Sequence, residues 1–525
     1  MRYRPLFLSV PLLLTHALAR AQPVRTWGGA TDEPIAAPVQ SAPPSPPPAT
    51  MGTPVPGSVA APSAPPAPQS DAASVRPPGA LGLKYTLEGV EVRGNRTTLA
   101  RVVLRYVPFR SGDALDVADR ELEATRFRLL GTGFFRDVEL SLRRGTRRGY
   151  VVLVIDVVER NTIVVDDLWL GLSSGPLTAY GGAGVTQRNL AGAGIALGGA
   201  FAVADQQLAL RVRLADPQFL RTNWVAEGEL LYNAARDFFG NHDVLPAEDF
   251  AIAQYKRFGG RLGAGHDLDV SSQIFFDYRL EKIDASLPLA ASDYRGEDVE
   301  PIDFMLNPGS SILSTFRTRF VSDTRDDPVL PTRGHHFEAS LDVSLTPFGS
   351  DYTYTKLVLH GSQWFALPWG HVLRLEGFAG AISGNAPLFE RFYVGDLSDL
   401  LPDRALDLSF DRGLAPNLLS TDIVEIRYAN YAAKVDAEYR IPLYRGTRSI
   451  YGVDFFGSFG LYGLANWQDF VDHARGYTGF GTWPIDFTFN AGLRVQTQAG
   501  GFVFGVSNLI GLVPIRGQQQ GAARP

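Results

Sequence analysis

The chain has 525 residues, a formal net charge of −6 and no cysteine. Lack of cysteine excludes disulfides, thiolate metal sites and cysteine nucleophiles, and the mildly acidic balance gives no global basic field for nucleic acid. Past the first residues no apolar run approaches the ~18 residues that a membrane-spanning helix needs, so a membrane-embedded form of this chain has to be a closed barrel.

The opening MRYRPLFLSVPLLLTHALARA has a basic start, a short apolar run and small residues at Ala17-Leu18-Ala19 and Ala19-Arg20-Ala21. This predicts a secretory signal peptide over residues 1–21, too short to anchor the chain. Residues 22–82 hold nearly half of the 36 prolines among Ala and Ser, as in SAPPSPPPAT. Such a composition cannot build a core and predicts an extended periplasmic spacer. At ~3.1 Å per residue it would reach on the order of 180 Å.

Residues 83–161 change character. YTLEGVEVRGN reads as a strand ending in a turn, and TTLARVVLRYV as a helix with a Thr cap. PFRSGDALD reads as a turn. VADRELEATRFRLLGTG predicts a second helix, with Leu122, Phe127 and Leu130 on one face and Gly131 or Gly133 at its end. FFRDVELSLRRG and YVVLVIDVVERN follow as strands, with Phe134 and Phe135 expected in the core. The order β-α-α-β-β, with Gly133-Phe134-Phe135 opening the second strand and Glu159-Arg160-Asn161 closing the third, resembles a POTRA domain.

Residues 162–514 carry strand signal throughout. LALRVRL sets Leu208, Leu210, Val212 and Leu214 against Arg211 and Arg213. KVDAEYRI sets Val435, Ala437, Tyr439 and Ile441 against Lys434, Asp436, Glu438 and Arg440, and FTFNAGLRVQ sets Phe487, Phe489, Ala491, Leu493 and Val495 against Asn490, Arg494 and Gln496. One strand alone fits a soluble sandwich. About 350 residues of such strands behind a signal peptide predict a transmembrane antiparallel barrel, its apolar face toward lipid and its charged face toward the lumen. At roughly 22 residues per strand and turn, about 16 strands fit. Trp169, Trp224, Trp364, Trp369, Trp467 and Trp483 fall near strand ends, as interfacial girdles require, although aromatics favour strands in any case.

Enzyme signals are poor. Gly171–Gly175 matches GxSxG but lacks the strand-to-helix turn of a nucleophile elbow. His335-His336 has no HExxH context and reads as structural, one ring outward and one inward. The glycines of 181–199 precede no helix, so they suit a bending wall better than a phosphate cradle. No catalytic, cofactor or metal site is expected.

DTRDDPVLPTRG, Asp323 to Gly334, joins two alternating segments. Its Asp323, Arg325, Asp326, Pro331, Arg333 and Gly334 resemble a signature of the BamA/TamA-like outer-membrane assembly-factor family. EYRIPL, with Glu438 inward, and the GxRVQT phrase of Gly492–Thr497 match two further family strands. The resemblance implies a bacterial outer-membrane barrel with a periplasmic N-terminal region. It also implies a large loop folded back into the lumen after an F-Y-x-G phrase, here Phe392, Tyr393, Val394 and Gly395.

Two departures stand out. Leu400-Leu401-Pro402-Asp403 occupies the place of the family's loop arginine motif, and Ser458 that of one inner-wall acid, while Glu438 is kept. The expectation is that the loop still plugs the lumen, with Arg404 or Arg412 as the partner of Glu438. The last strand-like segment, GGFVFGVSNLIGLVP, is followed by a polar tail, 515–525, which leaves one strand too few after the large loop.

The implied function is insertion or translocation of other proteins at the outer membrane, with client capture by the POTRA-like domain and no enzymatic step. Expected partners are outer-membrane lipids, unfolded outer-membrane or secreted clients and accessory envelope proteins. The alternatives are a two-partner-type secretion pore for one passenger and a structural or porin-like barrel without assembly activity.

Overall fold

The computed structural model describes residues 84–507 except 117–119, 172–179, 217–218, 220–221, 223, 240–250, 270, 327–329, 398–403, 410–416, 427, 447–448 and 498–500. The expected signal peptide, spacer and polar tail, and most of the GxSxG match, lie outside the described residues.

The N-terminal part is a small mixed sheet. Its strands are β1 (Lys84–Arg93), β2 (Ala114–Asp116), β3 (Phe135–Arg144) and β4 (Tyr150–Glu159), in the order β2-β1-β4-β3. β1 and β4 are parallel; β3 and β4 are antiparallel. Helices α1 (Ala100–Leu104) and α2 (Arg120–Gly131) link the strands. Leu87, Val102, Val103, Leu129, Phe134, Leu153 and Ile155 are buried together, which places the GFF aromatic pair in the core.

Two local details differ from expectation. The supposed turn at PFRSGDALD contains β2, paired with β1. The Thr cap is absent: α1 starts after Leu99 with no side-chain cap bond. Glu159, at the end of β4, instead anchors the segment that leads into α1, because its carboxylate accepts the N–H groups of Thr97 (3.0 Å) and Thr98 (2.6 Å) and the Thr97 hydroxyl (2.6 Å). Burial would raise the carboxyl; the bonds from Thr97 and Thr98 outweigh it and hold the pKa at about 2.

Fifteen antiparallel strands form the large sheet in chain order. They are β5 (Ile163–Gly171), β6 (Tyr180–Leu190), β7 (Ile195–Ala204), β8 (Gln207–Asp216), β9 (Trp224–Phe239), β10 (Ala251–Asp267) and β11 (Ser272–Ser286). Then come β12 (Gly309–Asp323), β13 (Gly334–Ser344), β14 (Tyr354–Ala366), β15 (Val372–Gly384), β16 (Tyr431–Arg445), β17 (Ile450–Ala465), β18 (Ile485–Thr497) and β19 (Gly501–Ser507). The count among the described residues is thus one below the expected sixteen, with four strands after the large loop. Because fifteen is odd, β5 and β19 run in the same direction, and no register joins them among the described residues.

Period-two alternation sorts the side chains. Leu230, Phe258, Leu262, Phe276 and Phe459 point outward, Leu262 being 73% exposed. Arg257, Asp277, Glu281, Arg319, Lys356, Glu376 and Glu438 point inward and are buried. No soluble fold exposes apolar side chains while burying charge on such a scale; a wall between lipid and a polar lumen does.

Short turns, such as 191–194, 268–271 and 367–371, lie at the end near the small sheet, and longer loops, 287–308, 385–430 and 466–484, at the other. The small sheet docks on the turn between β6 and β7. Leu99 N–H donates to Gly192 O (3.0 Å), the Asn189 amide to the Thr98 hydroxyl (2.8 Å), and a Cβ on Gly194 would lie 2.9 Å from Val102.

Trp224, Trp369, Trp467 and Trp483 are exposed near strand ends, as a girdle requires. Trp364 is not: the alternation of β14 turns it inward, where the Arg325 guanidinium lies 5.5 Å from its ring. Trp169 is described in backbone only.

Two measurements follow. Leu262→Arg should destabilise the membrane-embedded barrel by about 2–4 kcal/mol in lipid vesicles, and no loss in urea titration would contradict a lipid-facing position. Glu159→Gln should lower protection of the Thr97 and Thr98 amides against hydrogen exchange by about 1 kcal/mol. The Glu159 carboxyl is depressed on folding, so its stabilisation is present above the ordinary value of 4.5 and lost as pH falls toward about 2. The Gln variant should lack that acid dependence.

Candidate functional site in the barrel lumen

The signature turn is a scaffold of carboxylates. Asp323, closing β12, accepts the Arg325 backbone N–H (3.0 Å) and its guanidinium (2.8 Å). Asp326 accepts the N–H groups of Thr332 (2.8 Å) and Arg333 (3.0 Å) and the Thr332 hydroxyl. Gly334 has φ +97°, and a Cβ there would sit 2.3 Å from Thr324 O, so only glycine closes this turn into β13. Pro331 is buried, and its carbonyl accepts a bond from Arg440 of β16 at 2.8 Å. The exposed Arg333 contributes through its backbone.

Arg440 links the signature turn to EYRIPL, and Glu438 links EYRIPL to GxRVQT. The Glu438 carboxylate accepts a bond from Arg494 of β18 and has Arg374 and Arg440 at 3.5 Å each. All three motifs read from the sequence therefore meet on one stretch of inner wall. Ser458 lies directly opposite Glu438 and accepts the Asn490 amide at 2.9 Å. With a hydroxyl there in place of a second carboxylate, Glu438 is the acid that all three arginines share. Its neighbours Glu376 and Arg374 are joined at 2.8 Å, and Lys434 reaches Glu376 at 3.2 Å.

Loop 385–430 enters the lumen. Phe392 is fully buried beside Phe378 (ring centroids 5.9 Å), with the Lys356 Nζ 4.8 Å from its ring. Tyr393 packs on Tyr428 (5.1 Å), whose hydroxyl donates to Asp237 of β9 at 2.7 Å. Gly395 is buried in the same turn, where Asp396 accepts the Tyr393 N–H at 3.2 Å. Just before, Glu390 is fully buried and meets Arg279 of β11 at 2.6 Å and Lys356 of β14 at 3.5 Å.

Farther along, residues 404–409 form a tight hairpin whose tip residues Leu406 and Asp407 both have positive φ, 47° and 67°. The Asn233 amide of β9 donates to Leu406 O at 2.8 Å, and Arg257 of β10 to the Asp407 carboxylate at 3.1 Å. Arg211 of β8 is 3.9 Å from the same carboxylate. Arg257 also holds Glu281 through two bonds, at 2.8 and 3.2 Å, and its guanidinium lies 3.9 Å from the centre of the Phe389 ring.

The structure thus seats Phe392, Tyr393 and Gly395 in the lumen and joins the signature turn to the Glu438 strand. Arg404 is described in backbone only, at the base of the hairpin, and Arg412 lies outside the described residues. The described partners of Glu438 belong to the wall. Sequence reading missed Glu390 and Asp407 on the loop and Asn233, Arg257 and Arg279 on the wall. Strand alternation was the available signal for the wall residues, since it turns Arg257 and Arg279 inward. His336 is buried and inward, 3.9 Å from Asp323, while His335 contacts Ser322 and Thr324 at the turn.

Comparison with known proteins gives the relationship. Residues 189–400 match the Omp85 superfamily domain, a span that runs from the end of β6 into the lumen loop. The chain thus carries an Omp85 superfamily domain and resembles BamA/TamA-like proteins. It is 25% identical over 331 residues to the outer membrane protein assembly factor BamA of Nitratidesulfovibrio vulgaris, covering 62% of this chain and 39% of that protein. The chain therefore spans well under half the length of this curated relative. In fold it is similar to BamA from Haemophilus ducreyi lacking POTRA domains 1–3, with TM-score 0.50, 17% identity and coverage of 83% of this chain and 82% of that one. It is also similar to CdiB from Escherichia coli, with TM-score 0.52, 11% identity and coverage of 81% and 73%. The Omp85-type barrel places this protein in the bacterial outer membrane.

Glu438→Gln should cost about 3 kcal/mol, because three arginines would be left around a neutral amide. Shift of the unfolding midpoint in urea, followed by loss of heat-modifiable migration, measures it, and an unchanged midpoint would contradict the assignment. Arg440→Ala should expose the 324–333 turn to proteolysis while leaving the rest of the barrel intact.

Proposed function

We propose that this protein inserts or translocates other proteins at the outer membrane and does so without enzymatic chemistry. The Omp85 match across a barrel with a loop seated in its lumen is the observation that carries this reading. The sheet of residues 84–159 acts as a POTRA-like domain. Among the described residues β3 pairs only with β4, so its outer edge presents unpaired N–H and C=O groups that an extended client can join by strand addition. Docking of this sheet at the short-turn end puts the captured strand beside the mouth of the barrel. Folding of the client supplies the free energy, since burying its backbone polar groups in a barrel is the only stable outcome in lipid. Client chains and outer-membrane lipids are the partners, with accessory envelope proteins joining from the periplasm. The signal peptide at 1–21 and the spacer at 22–82 deliver the domain and give it reach.

The test is reconstitution in lipid vesicles with a urea-unfolded outer-membrane barrel as client. Vesicles holding this protein should fold the client several-fold faster than empty vesicles, by the appearance of the heat-resistant form on gels. A proline placed at Leu140, on β3, should slow that rate, because it removes a donor from the strand that receives the client. Equal rates in loaded and empty vesicles would contradict the proposal and favour a structural barrel; export of a single passenger with no effect on barrels would favour a secretion pore.

A further inference from the structure

The described ion pairs between lumen loop and wall have one polarity. The loop brings anions, Glu390 and Asp407; the wall meets them with cations, Arg279 and Lys356 for the first, Arg257 and Arg211 for the second. The two contacts share a centre. Arg257 of β10 and Arg279 of β11 both bond Glu281 of β11, and Phe389 covers Arg257 from the loop side. Arg211 also faces Glu229 at 3.7 Å; the other three wall cations, Arg257, Arg279 and Lys356, stand against one wall acid, Glu281, so the two loop acids bring these charges into balance.

Burial sharpens the point. Arg257 and Lys356 are essentially inaccessible, as are Glu281 and Glu390. Charge removed from water is tolerated only when paired. Withdrawal of the loop would leave Arg257 and Lys356 without Asp407 and Glu390. The apolar seat adds to this: Leu406 and Leu408 are buried in one cluster with Ala209 and Ala235 of the wall.

We propose that Asp407 is the latch of the lumen loop: an acid at the tip of a hairpin, seated on the arginines of β8 and β10, holds the loop in the closed position. The assignment gives the 404–409 hairpin a defined docking point on the N-terminal half of the barrel, across the lumen sequence from Glu438. It also gives the tip a reason for its backbone. Leu406 and Asp407 adopt left-handed conformations that turn the carboxylate outward from the hairpin toward Arg257.

The chain has no cysteine, so a reporter pair is clean. Ala235→Cys and Leu408→Cys, both in the shared apolar cluster, are joined as a disulfide by a small added oxidant in the full chain held in lipid vesicles. The closed loop should crosslink rapidly. Asp407→Asn keeps the turn, because asparagine tolerates the left-handed conformation, yet removes the charge. It should slow crosslinking about tenfold, the change expected from loss of one charge-assisted bond. Asp407→Arg, which sets like charges against Arg257 and Arg211, should slow it further and raise single-channel conductance in planar bilayers. Crosslinking of Asp407→Asn at the parent rate would overturn the proposal. So would an Asp407→Arg chain that crosslinks and conducts as the parent does. Neither readout depends on client insertion, so a failure here is distinct from a failure of the proposed function.

Discussion

Everything in this structure follows from the need of each strand to satisfy its backbone in lipid. Hydrocarbon offers no donor or acceptor, so every N–H and C=O in the wall must find a partner in the neighbouring strand. The fifteen-strand ladder supplies those partners from β5 to β19 without a break. Once the ladder is fixed, side-chain direction is fixed with it, since successive residues alternate between lipid and lumen. Apolar residues go outward at no cost, and every polar residue that function needs must sit inside.

The interior then has to solve the opposite problem. Arginines and carboxylates crowd a space with little room for water, and each must be paired to remain charged. The wall answers with cross-strand pairs such as Arg317 with Asp342 at 2.6 Å and Lys434 with Glu376 at 3.2 Å. Two regions go beyond simple pairs. One gathers the signature turn, Arg440, Glu438 and Arg494 into a brace between β12, β16 and β18. The other gathers Arg257, Arg279, Glu281 and Lys356 around the acids of the loop. The brace stabilises the wall itself, and the second cluster is completed by the acids of the loop.

Much of this was legible in the sequence. Alternation in LALRVRL, KVDAEYRI and FTFNAGLRVQ gave the correct lipid and lumen faces, because period two is a property of the strand alone. DTRDDPVLPTRG announced a turn between two strands, while the backbone donors of its aspartates and the exclusion of a side chain at Gly334 emerged only in three dimensions. Trp364 shows the limit of composition. Its place near a strand end suggested an interface, but β14 carries it inward to Arg325. The loop contacts were less accessible still. Asp407 and Arg257 are separated by 150 residues, and nothing in either local pattern names the other. Resemblance directed attention to an arginine for Glu438, whereas the described ion pairs of the loop are made by its acids with cations of β8, β10, β11 and β14. Partnership across a lumen depends on register and loop path, which no local period encodes.

The most direct test of the functional account is the outer-membrane protein profile after depletion of this protein. The account expects a broad fall in other β-barrels, with their unfolded forms accumulating in the periplasm. An unchanged profile in depleted cells would contradict it and leave an Omp85 barrel that does not assemble others.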